Sequence, residues 1–232
     1  MTQGTAVVKA VTGSAAYVDE LGFSHPLTTG TILKAGHTIK TGVDSAVDLF
    51  LDQNGPNLSL DANSTLSLEK LAYEQTSLGT KIDTLLDLKA GKMAGQVKKL
   101  IASSRYEVKM PKGLARVRGT QFFIDVKTGD VYVTMGTVSV TITVDAPSNA
   151  PGQTFFTKTV SVTAGQVLTI PKDFTDNADF QAKLVAVAYP PNQKFDKFTE
   201  YAGSGVKEDF RGVKAGADIK VQLPPTNTVV SP

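Results

Sequence analysis

The sequence has no cysteine, no tryptophan and only two histidines, and no long apolar run. Without thiols there is no cysteine nucleophile, thiolate zinc site or disulfide. The compartment stays open, because an exported bacterial protein can also do without bridges. No stretch approaches the length of an apolar membrane span. Met1-Thr2-Gln3-Gly4 leads directly into alternating Val and Ala, so no signal-peptide pattern is visible at the start. With 24 Lys+Arg against 22 Asp+Glu the net charge is +2, which excludes a polybasic nucleic-acid coat or a dominant acidic tail. There is no Gly-x-Ser-x-Gly, no Gly-x4-Gly-Lys and no His-Glu-x-x-His, and neither a catalytic constellation nor a cofactor motif is expected. His25 and His37 fall in turn-rich sequence and read as surface or turn residues.

What is present suits a globular chain. Hydrophobic residues make up 41% and charged residues 20%, and the mean hydropathy is -0.05. At 24.6 kDa, area scaling allows about 70% of the extended surface to be buried without covalent help.

The dominant period is two. Val43, Val47, Leu49 and Leu51 share one parity, with Asp44, Asp48 and Asp52 on the other, as on a half-buried strand. Asn54-Gly55-Pro56 then signals a turn, and Leu58 and Leu60 resume the alternation. Val138, Val140, Ile142 and Val144 alternate with Ser139, Thr141 and Thr143. An Ala-Gly dipeptide follows a short apolar strand three times, at Ala35-Gly36, Ala90-Gly91 and Ala164-Gly165. Short strands punctuated by glycine predict an all-β fold: an irregular twisted β-solenoid, or a β-roll or sandwich.

Phe180, Leu184, Val187 and Ala188 have helical spacing after the capping candidates Thr175 and Asp176, and Pro190-Pro191 must stop the run. These signals predict a β-domain over 1–172, and a C-terminal helix at 176–189 with an extended, partly flexible tail over 173–232.

The three aspartates Asp44, Asp48 and Asp52 are expected on a solvated face. One charge asymmetry stands out. Lys89, Lys92, Lys98, Lys99, Arg105, Lys109, Lys112, Arg116 and Arg118 lie in one window opposed only by Glu107. They are a candidate surface for an anionic partner such as an acidic protein face, an acidic glycan or a lipid headgroup layer. The competing reading is that alternating strands scatter these charges in several directions. Nucleic acid is a poor partner, since Tyr106 is the one aromatic there to stack on.

At Arg116-Val117-Arg118-Gly119-Thr120-Gln121-Phe122 the parity contradicts itself. Ala115 and Val117 require odd positions inside, whereas Phe122 and Ile124 require even ones. A β-bulge at Gly119 would reconcile them. Arg118 would then turn inward beside Phe122 and grip turn carbonyls; the alternative is an exposed Arg118 poised for an anionic ligand.

Val117-Arg118-Gly119-Thr120-Gln121-Phe122, after a Pro-Lys-Gly turn, resembles the signature of the FecR domain, named for the iron-dicitrate transport regulator. Further elements occur in the family's order: Leu33 to Gly42 with Ser45-Ala46, Leu58 to Leu68 around Asn63-Ser64, Leu88-Lys89-Ala90-Gly91, then Gly136 and Val138. Met110 departs from the pattern, which usually has Thr before the Pro. The resemblance makes Arg118, Gly119, Thr120 and Phe122 the structural signature. It implies a non-enzymatic extracytoplasmic binding or signalling module of the bacterial envelope, in the periplasm or at the cell surface, with its leader trimmed from this chain. The alternative is a structural or adhesive envelope protein that binds glycan or peptidoglycan.

Overall fold

A computed structural model describes residues 1–55, 57–146 and 154–189. Nineteen strands occur among them. In chain order they are β1 (Thr2–Gln3), β2 (Ala6–Thr12), β3 (Ala15–Val18), β4 (Ser24–Pro26), β5 (Ile32–Leu33), β6 (Thr38–Thr41), β7 (Ala46–Phe50), β8 (Asn57–Leu60), β9 (Thr65–Thr76) and β10 (Gly79–Ala90). The series continues with β11 (Lys92–Gln96), β12 (Arg105–Met110), β13 (Gly113–Val117), β14 (Gln121–Asp125), β15 (Asp130–Met135), β16 (Thr137–Asp145), β17 (Phe155–Thr163), β18 (Gln166–Thr169) and β19 (Val187–Ala188). One α-helix, α1 (Asn177–Lys183), and a 3-10 turn at Asp52–Asn54 complete the described elements.

The strands form two open sheets around one core. The first runs β17-β16-β13-β12-β10-β9-β6-β3-β4, with β1 also on β9. The second runs β19-β18-β15-β14-β11-β8-β7-β2-β5. The chain passes back and forth between the sheets, and both advance along it in nearly sequential order. Pairing is antiparallel except at β10·β12.

Alternation supplies the core. Val138, Val140 and Ile142 of β16 are fully buried, and their partners Ser139 and Thr141 face out. Leu58, Leu60, Leu66, Leu68, Leu86 and Leu88 pack into the same cluster from both sheets. Each apolar side chain taken from water contributes roughly 1.5–3 kcal/mol, so this single contiguous cluster is the main stabilising element.

The chain changes sheets at Gly13, Gly91, Gly119, Gly136 and Gly165, whose φ values lie between +70° and +85°. The recurring Ala-Gly pairs at 90–91 and 164–165 are therefore corners between layers.

The expected C-terminal helix is shorter than its apolar spacing suggested. α1 ends at Lys183, and Leu184 has already left helical geometry. Val187 is 54% exposed and pairs with Val167 of β18, so it never joins the helical stripe. Asp176 caps α1, its carboxylate accepting the Asp179 N–H at 2.8 Å. Phe180 and Leu184 are fully buried, with Phe180 against Phe156 and Phe174, so α1 closes the core beside β17. The tail expected after residue 189 lies outside the described residues.

Candidate functional site

The signature segment is the corner where β13 leaves one sheet and β14 enters the other. Val117 is the last inward residue of β13 and Phe122 the first inward residue in the second sheet. The parity conflict is thus a change of layer and not a bulge at Gly119. The register shift in this region lies between Gln121 and Phe122, where β14 pairs with β15.

Gly119 takes φ +70°, a conformation costly for any residue with a Cβ. A Cβ on Gly136, at the next corner, would lie 2.4 Å from the Gly119 carbonyl oxygen. The two corners therefore pack backbone against backbone. Thr120 is buried, and its carbonyl accepts the Val97 N–H at 2.8 Å, linking the corner to the segment after β11. Phe122 is fully buried with its ring over Gly95, where a Cβ would lie 2.4 Å from the ring's Cζ.

Arg118 does not turn inward. It is exposed, because the corner carries its side chain out between layers, and no ion pair holds it among the described residues. The expected grip on turn carbonyls gives way to the exposed alternative.

The basic window separates in three ways. Five of its nine cations meet carboxylates, four of them on other strands and one, Lys89, on its own strand. Arg105 Nε and Nη2 donate to the two Asp83 oxygens at 2.8 and 3.1 Å, and Lys70 reaches the same carboxylate at 2.5 Å. Arg116 donates through Nε and Nη2 to Glu107 Oε1, at 3.0 and 2.7 Å. Lys109 pairs with Glu69 at 2.9 Å, Lys92 with Asp125 at 3.1 Å and Lys89 with Asp87 at 3.9 Å. Lys112 is instead committed to the carbonyls of Pro171 and Lys172. Lys98, Lys99 and Arg118 remain exposed and without an ion pair among the described residues.

These residues do not share a face. Arg105, Lys109 and Arg116 project from the first sheet and Lys92 belongs to the second. What the fold does bring together is Lys99 and the signature corner: a Cβ on Gly119 would lie 3.1 Å from Lys99 Cα. The counter-charges Asp83, Glu69 and Asp125 were missed by the window because they come from other strands. The outward parity of Asp83 and Asp87 along β10 was the available signal.

Burial alone raises the Asp83 carboxyl, and the hydrogen bonds from Arg105 and Lys70 outweigh it, leaving Asp83 below the ordinary carboxylate range. His25 hydrogen-bonds Asp19 at 2.8 Å, holding the Asp19 carboxyl low as well. Tyr17 stacks with both histidines, at 4.9 Å from His25 and 5.2 Å from His37. Among the described residues no group of three or more His, Asp or Glu side chains is placed to hold a metal.

Asp48 departs from the expected solvated face. It is 1% exposed and accepts the Ser59 hydroxyl at 2.6 Å, because β7 is closed off on both faces, whereas Asp44 and Asp52 are exposed.

No curated protein matches the sequence. Two crystal structures of a "putative anti-sigma factor" from Parabacteroides distasonis ATCC 8503, at 2.50 and 1.65 Å, are similar at 13% identity with a TM-score of 0.43. Each match covers 66% of this chain and 58% of that one, so the chain spans less than two thirds of their length. Residues 37–143 match the family model described as FecR protein. That segment runs from just before β6 into β16 and contains the signature corner, so over these residues the chain is similar to the FecR protein family.

Proposed function

We propose that the chain is a non-enzymatic, extracytoplasmic binding and signalling module of the bacterial envelope, which meets an anionic protein partner through Lys98, Lys99 and Arg118. The observation that carries this reading is the coincidence of the FecR match with a corner whose three cations make no ion pair among the described residues. Cations already paired within the fold have little left to offer a partner, whereas these three have an unspent field that favours association with an acidic face. In this reading the two-sheet winding is an irregular β-solenoid, since its strands alternate between layers and advance in chain order. Residues 1–172 form its body and 173–232 its C-terminal segment, a division that limited proteolysis tests.

The experiment pairs two readouts in the native host. Affinity capture from envelope extract should recover a partner whose retention falls between roughly 50 and 300 mM salt, as screening shortens. The double reversal Lys98→Glu with Lys99→Glu should abolish that capture. It should also change transcription as deletion of the gene does. Capture and transcription both untouched by the reversal would remove this corner from the partner site.

A second reading, adhesion to glycan or peptidoglycan, is favoured by the hydroxyl face of β16 and β17. Thr141 and Thr159 meet there at 2.9 Å, and Thr143 and Thr157 at 3.2 Å. Sedimentation with purified sacculi distinguishes it, since only this reading expects the protein in the pellet.

A further inference from the structure

We infer that the cavity framed by the Asp52–Asn54 turn, the β9–β10 hairpin and the loop after β11 binds a small organic anion with an apolar body. The cavity measures about 440 Å³, within the size range of small-molecule sites. Its apolar lining comes from Phe50, Ile82, Val97, Leu100 and Ile101. Lys98 and Lys99 line it as well, and the Lys9 ammonium lies 5.1 Å from the centroid of the Phe50 ring. Asp52 is the one carboxylate in the lining, and it is exposed.

This combination selects for chemistry. An apolar body gains roughly 25 cal/mol for each Å² withdrawn from water against Phe50, Ile82 and Val97. The lysines around it favour a carboxylate, sulfonate or phosphate at the other end and disfavour an ammonium. A second cavity, of about 230 Å³ beside Met110 and Pro111, is also flanked by lysines, but its Lys112 ammonium is committed to backbone carbonyls. The inference shares Lys98 and Lys99 with the partner reading but requires no protein partner, so binding of the small probes to the purified chain tests it separately.

Three probes test it on the purified chain: sodium octanoate, octylammonium chloride with the same apolar body and opposite charge, and sodium acetate with no apolar body. Amide chemical shifts in ¹H–¹⁵N spectra should move for octanoate at residues 50–55, 79–82 and 97–101. Octylammonium should bind about tenfold more weakly or worse, and acetate should leave these amides in place. The double variant Lys98→Glu, Lys99→Glu should weaken octanoate by a similar factor while its thermal melt stays that of the parent. Equal binding of octanoate and octylammonium, shifts mapping outside the cavity, or octanoate affinity unchanged in the double variant would each overturn the assignment.

Discussion

At the scale of single residues, the signature is explained by the geometry of a corner. Phe122 is seated on Gly95, Thr120 ties the corner to Val97, and Gly119 and Gly136 pack against each other through backbone. Arg118 takes no part in this packing. Arg118→Ala should therefore leave thermal stability within about 0.5 kcal/mol of the parent, whereas Phe122→Ala should cost about 3–5 kcal/mol through the cavity it opens. Denaturant melts of the two variants side by side decide it; a large loss for Arg118→Ala would restore a structural role. Gly95→Ala forces a methyl into the Phe122 ring at a site with no slack. It should destabilise by about 1–3 kcal/mol, and pairing it with Phe122→Leu should recover part of the loss if the ring is the obstacle.

At the scale of elements, charge pairs stitch neighbouring strands of the first sheet together. Asp83 on β10 holds Lys70 of β9 and Arg105 of β12, joining three strands across the parallel pairing. Its carboxyl titrates below its ordinary value of 3.8 in the folded protein, so the unfolded chain binds the proton more readily. The contribution is complete above the unfolded value and fades as the pH falls through the folded one. Asp83→Asn removes this dependence. The difference in Tm between parent and variant should be largest near neutrality and shrink as the pH falls below about 4. A gap that acidification leaves unchanged would mean the pair contributes nothing to folding.

At the scale of the whole molecule, two open sheets leave a core that needs closing at its ends, and α1 does so beside β17. Phe180 is fully buried between Phe156 and Phe174, so Phe180→Ala should cost about 3–5 kcal/mol although it lies beyond the family segment. A melt like that of the parent would show that the helix is an appendage and not part of the cooperative unit.

The sequence by itself determined the all-β class, the inward valines of β16 and the place of the FecR signature, because the side chains of a strand alternate and that alternation is written locally. It also showed the anomaly at Gly119, as a break in parity. Only the tertiary structure decided that the break is a passage between two sheets, since a bulge and a change of layer leave the same trace in a linear pattern. Helical spacing at Val187 was likewise overruled by its pairing with Val167, a contact formed across twenty residues. Charge showed the widest gap between the two levels. Nine cations in one window read as a patch, but Asp83, Glu69 and Asp125 arrive from other strands, Glu107 and Asp87 pair Arg116 and Lys89, and Lys112 turns to backbone carbonyls, leaving Lys98, Lys99 and Arg118 without an ion pair among the described residues. A sliding window sums charge along the chain, whereas electrostatic energy falls with distance through space, and only folding sets those distances.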